Sequence, residues 1–559
     1  MDHPRSDPER DNGDIEKAQP VTVMRDEPAT FNPDATPGGQ TACPVCDDQR
    51  LDYMFIVRGL PVARCPGCGL VSLGRQRAVA ASGRFAAAPQ EPELMVADSQ
   101  SEQEAAGRYL NRLAQRGLSA GRLLVLCASP GHAFLEAARG RGYEVTPAAM
   151  GDAGTLAAAE ESFDGVVVLH QLERCAAPGQ ALADIYAMLK PGGLLFMTAP
   201  SIEAWPAKFF KSQWTEYHAE NRFYFSPNTL QLLLLKAGFA KIERSGDRRI
   251  YTLAHIHRRA RAAPQNLFTR GARMAYRLLP PLRKAKFRVT SSAMILSAVK
   301  AQKRRRPVVS IIVPVYNERD TFKTLMDSLL ARTVAGVDRE ILVVESNSCD
   351  GTRELAREYE THAEVRVILQ EKPRGKGNAV REGFFAARGD ILMIQDADLE
   401  YDLNDYDQLL EPLVAHRELF ILGARHGGSW KMRRFTDQAN MATMLNFGHL
   451  FFTGLMNRLF HQSMKDPFTM YKVFWRDCLH GLKFECNRFD FDHELVIKLC
   501  LKGYRPLELP VNYVSRSFKE GKKVSIFREP PRWIRINFKL WWCGLKKSRK
   551  GTPAINPDV

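Results

Sequence analysis

Four apolar runs in the C-terminal half of the chain each end in a polar turn. Val308–Val315 breaks at Tyr316, Asn317 and Glu318, and Ile341–Val344 gives way to Glu345, Ser346, Asn347 and Ser348. Val365–Leu369 leads to Pro373, Arg374, Gly375 and Lys376, and Ile391–Ile394 ends in Gln395, Asp396, Ala397 and Asp398. Short unbroken runs rich in Val and Ile read as strands buried on both faces. Helices are expected after the first three turns, with Asp350 or Thr352 capping the second and Ala379–Ala387 forming the third. Strands alternating with helices predict a doubly wound, parallel α/β sheet, whose ligands bind beyond the carboxyl ends of its strands. All four turns lie at such ends, so they are expected to converge on one crevice.

A second alternation runs from about Glu102 to Lys303. Gly121–Cys127 reads as a strand, Ala128–Gly131 as a turn and His132–Arg139 as a helix. Phe163–Leu169 is another strand, and Leu189–Thr198 carries a helix end, a turn and a strand. In front of it stand two Cys-x-x-Cys knuckles, Cys43/Cys46 and Cys65/Cys68, with 18 residues between them. Paired thiolates on two tight turns make a tetrahedral structural zinc site. Two disulfides compete with this reading, but no secretion signal points to an oxidising compartment. The other seven cysteines lack ligand spacing and read as packing residues.

With 559 residues the chain can hold two or three domains with substantial cores. Residues 1–40 are polar and proline-rich, and read as a disordered tail instead of a signal peptide. No stretch reaches the ~18 apolar residues of a membrane span. Two segments suit a bilayer surface. Met441–Phe460 is rich in Leu, Phe and Met; Arg532–Trp542 mixes aromatic and cationic residues and precedes the basic run Lys546–Lys550.

Asp396 and Asp398, one residue apart at the mouth of a buried strand, are hard oxygen donors that suit Mg²⁺ or Mn²⁺ and, through it, a diphosphate. Further motifs follow: Asp466 to Phe474, Asn487 to Glu494, and Tyr513 to Lys523. In this order the motifs from Val308 to about Trp542 resemble the inverting family 2 glycosyltransferases of GT-A fold, most of all the branch that makes polyprenyl-phosphate sugars. The resemblance implies that Pro314, Tyr316, Glu318 and Glu345 line the nucleotide of a nucleotide-sugar donor. Gly375 and Gly377 would let backbone approach that donor, and Lys376 would add charge. Asp396 and Asp398 would hold the metal and diphosphate, with Glu400 nearby. Arg425, Arg433, Arg434 and Arg516 would grip a lipid phosphate acceptor, and Lys522 and Lys523 would close over the leaving diphosphate. A phosphate acceptor is already anionic and needs positioning; a hydroxyl acceptor needs a base, for which Asp492 or Glu494 is the candidate. Candidate catalytic residues are therefore Asp396, Asp398, Asp492, Glu494 and Arg516. The family's usual Asp-Asp pair is Glu345-Ser346 here, which bears on the choice of base.

The region behind the knuckles resembles class I S-adenosylmethionine-dependent methyltransferases that carry an N-terminal zinc ribbon. Its glycine loop has decayed: Val125, Cys127, Ser129 and Gly131 stand where an Asp and three glycines are usual, leaving Gly131 alone to contact the cofactor. Ala149 replaces the acid that binds the ribose, and Glu220-Asn221 replaces a Glu-His pair. These losses predict a methyltransferase fold that no longer binds S-adenosylmethionine.

The expected organisation is a tail (1–40), a zinc ribbon (41–75), a degenerate methyltransferase-like domain (100–303), a GT-A glycosyltransferase domain (307–545) and a basic flexible tail (546–559). The expected function is metal-dependent, inverting transfer of a sugar to a polyprenyl phosphate in cell-envelope synthesis, peripherally on the cytoplasmic face of an anionic plasma membrane. A bifunctional methyltransferase/glycosyltransferase is the alternative. The net charge of +16 and the ribbon also fit a nucleic-acid-binding protein. However, the knuckles carry Pro, Val and Gly in place of an Arg/aromatic array, so nucleic acid is not an expected partner.

Overall fold

The computed structural model describes residues 42–57, 59–74, 99–128, 132–150, 160–218, 220–254, 257, 267–278, 280, 286–301, 304, 306–425, 439–516 and 528–550. The expected N-terminal tail lies outside them. The expected C-terminal tail does so only in part, because the helix Glu529–Lys550 runs on through its first residues.

The knuckles are two tight turns, each closed by a backbone bond from the fifth residue to the first cysteine: Asp47 N–H to Cys43 O at 2.9 Å, and Gly69 N–H to Cys65 O at 3.0 Å. Asp47 and Gly69 take the left-handed conformation that lets each turn close. The four sulfurs lie within 4.8 Å of one another. Cys43 and Cys68 Sγ atoms, like those of Cys46 and Cys65, are 3.5 Å apart. That is far beyond a disulfide's ~2 Å, and it suits the edges of a tetrahedron with metal–sulfur bonds of about 2.3 Å. The residues fit structural zinc and not two disulfides.

The strands β1 (Asp52–Val57), β2 (Leu60–Arg64) and β3 (Val71–Leu73) hold the knuckles. Next come β4 (Gly121–Leu126), β5 (Tyr143–Ala148), β6 (Phe163–Leu169) and β7 (Leu189–Pro200), which run parallel in the order β5-β4-β6-β7. The short β8 (Phe223–Tyr224) leaves this unit and pairs with β3, so the ribbon's sheet is completed from within the following region. After β9 (Phe239–Thr252), β10 (Lys286–Lys300) inserts antiparallel between β7 and β9.

The third sheet contains the four apolar runs of the C-terminal half. They are β11 (Val308–Val315), β12 (Asp338–Glu345), β13 (Val365–Leu369) and β14 (Ile391–Ile394), parallel in the order β13-β12-β11-β14. Every residue of β14 is buried, as a central strand covered on both faces requires. The helix Arg319–Ala331 covers one face with Phe322, Leu325, Met326 and Leu329, a single stripe at helical spacing. These four strands are parallel as expected, and the strands added beyond β14 make the whole sheet mixed. β15 (Phe420–Ala424) and β16 (Lys472–Trp475) run antiparallel to each other, β16 runs antiparallel to β14, and β17 (Leu507–Pro510) pairs parallel with β15. Apolar content reports a strand's burial and not its direction, so the sequence pattern is blind to this reversal.

Two helices of 22 residues, Ala439–Phe460 and Glu529–Lys550, pack near the helix Asp490–Leu501. No helix among the described residues is long and apolar enough to cross a membrane. Their shared seam holds His493, which has no exposed surface and stacks on Trp533 with ring centres 5.3 Å apart. Asn537 Nδ2 lies 3.1 Å from its Nδ1. Burial pushes the His493 pKa down to about 3. Above pH ~6.5 the imidazole is neutral in both folded and unfolded chains; below it only the unfolded chain takes a proton. Stability is therefore expected to fall as pH drops from ~6.5 toward 3, by about 2 kcal/mol at pH 5. Urea unfolding of wild type and His493→Phe at pH 7.5 and pH 5 checks this, since the variant should lose less between the two.

Candidate functional site

The carboxyl ends of β11, β12 and β14 open on one side of the sheet. Past β11 the chain reverses through Asn317, at φ +50°, to start the helix Arg319–Ala331 at Glu318. Tyr316 stands half-exposed at this rim. Past β14 the backbone stays tied to β11 by Gln395 N–H to Ile312 O at 2.9 Å, and then turns through Asp396–Asp398. Thr321 Oγ1 donates to Ala397 O at 2.6 Å, pinning the acidic turn to the helix beside it.

Each carboxylate of the pair faces a cation. Lys376 Nζ lies 2.6 Å from Asp396, and Arg516 Nη2 lies 3.3 Å from Asp398. The same guanidinium is bound by both oxygens of Glu318, at 3.1 and 3.3 Å. Arg516 is delivered by Glu400, which accepts from its backbone N–H at 2.7 Å and from Tyr513 O–H at 2.8 Å. Burial, then the charges of Asp396 and Glu400, push the Asp398 carboxyl up to about 7, despite the opposing Lys376 and Arg516. Burial works against the charge of Lys376, yet Asp396 and Asp492 hold its ammonium above the ordinary lysine value. The site thus carries more negative charge than its own cations settle comfortably. Crowded hard oxygens short of positive charge fit a divalent ion such as Mg²⁺ or Mn²⁺.

Tyr316, Glu318, Lys376, Asp396, Asp398 and Arg516 stand at the turns that meet here, Pro314 is the penultimate residue of β11, and Asp492 joins from the helix Asp490–Leu501. Lys472, which has no exposed surface, donates to Asp492 at 3.1 Å. Sequence reasoning passed over Lys472; a lysine inside the apolar run Met470–Trp475 was the available signal.

Other expected roles need correction. Glu494 is 1% exposed, and its carboxylate accepts from Glu485 N–H, Cys486 N–H at 2.8 Å and Lys498 Nζ at 2.6 Å, so it is a buried bracket and not a base. Arg425 is spent on Asp466, with Nε and Nη2 at 2.8 and 2.7 Å, and its face lies over Tyr513; it cross-links the core instead of presenting an open grip for phosphate. Glu345 has no exposed surface and binds Ser348 N–H at 2.6 Å and Arg353 Nη1 at 2.7 Å, so its effect on any donor runs through the loop it braces. The glycines beside Lys376 also have an internal cause. A Cβ on Gly375, at φ +102°, would lie 2.5 Å from Asn487 O, and one on Gly377 2.4 Å from Phe491 Cβ. They let the helix Lys376–Ala386 close against the turn that leads to Asp492. Arg433, Arg434, Lys522, Lys523 and Gly131 lie outside the described residues.

In the methyltransferase-like sheet, β5 ends at Ala148 and the next residue, Ala149, is exposed and offers no acceptor to a ribose. The carboxylate of Glu220 pairs with Arg174 at 3.1 Å. The acid that the resemblance expects for the ribose is therefore missing at Ala149, and the loop at 129–131 lies outside the described residues.

Residues 310–482 match the model of glycosyl transferase family 2, and residues 99–244 match a methyltransferase domain. A dolichyl-phosphate beta-glucosyltransferase of Drosophila melanogaster is 30% identical over 254 residues, covering 42% of this chain and 74% of the relative. The chain belongs to glycosyltransferase family 2. This family 2 chain is also 28% identical over 218 residues to a dolichol-phosphate mannosyltransferase of Pyrococcus furiosus, covering 38% of the chain and 58% of that relative. An undecaprenyl-phosphate 4-deoxy-4-formamido-L-arabinose transferase of Edwardsiella ictaluri is 26% identical over 226 residues, 38% of the chain and 62% of the relative. The chain thus spans less than two thirds of the length of two of these three curated relatives. Its family 2 region has the GT-A fold, and a methyltransferase-like region with a four-cysteine cluster precedes it.

Proposed function

We propose that this family 2 glycosyltransferase moves a sugar from a nucleotide-sugar donor to a polyprenyl phosphate, with inversion and with the help of Mg²⁺ or Mn²⁺. The observation that carries the reading is the acidic turn: two carboxylates at the end of β14, one with its pKa raised to about 7, set between Lys376 and Arg516. Asp396 and Asp398 would hold the cation, which when bound supplies charge to the leaving diphosphate. Lys376 adds a fixed positive charge on that side. Arg516, held by Glu318 and Glu400, would take the acceptor phosphate and orient it by charge-assisted bonds. A phosphate acceptor needs no base, so Asp492 has a positioning part through Lys472; it is the remaining base if the acceptor is a hydroxyl. The names of the relatives, all acting on dolichyl or undecaprenyl phosphates, support the lipid acceptor.

A lipid acceptor calls for a surface at the bilayer. Met444, Phe447, Leu450 and Phe451 on one long helix, and Ile534, Phe538 and Trp542 on the other, are exposed large apolar side chains on helices beside the site. Arg532, Arg535 and Lys539 add cations to the second helix. This pairing suits the anionic cytoplasmic face of a membrane that carries envelope glycan synthesis.

Incubating the chain with a panel of radiolabelled nucleotide sugars, Mg²⁺ or Mn²⁺, and a polyprenyl phosphate tests the reading. The expected outcome is labelled, organic-extractable product that requires both metal and lipid phosphate. Donor turnover indifferent to the lipid would refute the acceptor assignment.

A further inference from the structure

The methyltransferase-like region is left without a reaction, yet it is built into the transferase through a specific polar junction. β9 carries a bulge there: Glu243 pairs with Ser297 and Ala240 with Val299, so β9 spends one residue more than β10 over the same span. Lys241, inside the bulge, sits at φ +52°. A bulge turns backbone donors out of the ladder, and a non-glycine residue holds such a conformation only where its surroundings demand it. Here the surroundings are Asp477 of the transferase, whose two oxygens accept from Ile242 N–H at 3.1 and 3.3 Å. Gln231 has no exposed surface and uses both ends of its amide across the junction. Its Nε2 donates to Asp477 at 3.1 Å, and its Oε1 accepts from Tyr504 O–H, also at 3.1 Å. Arg244 lies 4.3 Å over the Tyr504 ring and donates to Lys502 O. Asn228 Nδ2 donates to Gly503 O at 3.2 Å, and Glu243 meets His480 at 3.4 Å.

The transferase side of every one of these contacts falls in 477–480 or 502–504. The first stretch directly follows β16, which begins at Lys472. The second directly follows the helix Asp490–Leu501, which carries Asp492. The junction therefore grips the sequence module 472–504 near both ends, and this module carries the Lys472–Asp492 pair.

We propose that the methyltransferase-like region is a brace. Its face, formed by the helix Pro227–Ala237 and the bulge of β9, binds 477–480 and 502–504 and so holds the helix of Asp492 in register with the acidic turn. A buried amide satisfied only by the other region marks a permanent junction, because separating the two strips it of both partners. The brace needs no methyl donor, which accounts for a cofactor loop free to decay on a sheet that stays intact. Only its kinetic consequence rests on the glycosyl-transfer reading.

Hydrogen exchange on the full chain tests the proposal, with Gln231→Leu removing the amide at similar volume and Arg244→Ala as the milder variant at a half-buried position. Both are expected to lower protection in 477–480, 490–501 and 502–504 by about tenfold or more, while β11 and β12 keep theirs. S-adenosylmethionine should change neither pattern. Exchange unchanged in those segments in both variants overturns the brace, as does loosening spread evenly over the whole chain in the milder variant. If the segments loosen but no donor is turned over even by wild type, the brace stands and the glycosyl-transfer reading fails.

Discussion

Asp398→Ala is expected to lower kcat/KM for sugar transfer by about 10³-fold or more, with no loss of folded structure. The leaving group of the proposed reaction is a nucleoside diphosphate, whose developing charge must be met in the crevice. Asp396 is already paired with Lys376, so removing Asp398 takes away the carboxylate whose negative charge is least settled. The same fact separates catalysis from stability. With its pKa raised to about 7, this carboxyl is a proton-holding group in the folded, metal-free chain. The stability it contributes is fully present below about pH 4 and is lost as pH rises through 7. At pH 8 the metal-free variant should therefore be at least as stable as wild type. Initial rates with saturating metal, together with thermal unfolding without it, check both halves. Activity within tenfold of wild type would remove the acidic turn from the mechanism.

Glu494→Ala is expected to do the opposite, costing about 3 kcal/mol of stability while leaving the rate per folded molecule within a few fold. Its carboxylate terminates the N–H groups of Glu485 and Cys486 and pairs with Lys498 in a site closed to solvent. Without it, the two backbone donors lose their acceptor in a buried site, and Lys498 keeps only the carbonyl of Lys483. Urea midpoints and active-site-normalised rates distinguish this from Asp492→Asn, which should lose rate instead. A Glu494 variant that unfolds like wild type but is inactive would restore the catalytic role that its spacing in the sequence suggests.

That contrast shows which parts of the site were legible. The turns after β11 and β14 were readable because an apolar run and its polar end are local signals, and Asp396, Asp398 and Glu318 stand on them. Asp492 and Glu494 could not be ranked, since two residues of helix turn one toward the crevice and the other toward the 485–486 backbone. Arg425 read as a free cation because its partner Asp466 is 41 residues away in sequence and next to it in space. Gly375 and Gly377 were recognised as places of close backbone approach, but what approaches is the chain's own 487–491 turn. In the third sheet the parallel direction of β11 to β14 was legible from the alternation of strands and helices, whereas nothing local marked the antiparallel β16. The ribbon's cysteines were plain from spacing alone, whereas its fourth strand comes from Phe223 and Tyr224, which no local pattern links to it.

Asp396 and Asp398 are expected to hold a divalent cation against the diphosphate of the donor. Electron paramagnetic resonance titration of Mn²⁺ tests it most directly, with UDP, GDP or neither, on wild type and on the Asp396→Ala/Asp398→Ala double variant. Wild type should bind Mn²⁺ at least tenfold more tightly with a nucleoside diphosphate present, and the double variant should lose that binding. Equal Mn²⁺ affinity in the two proteins, with the nucleotide present, would contradict it.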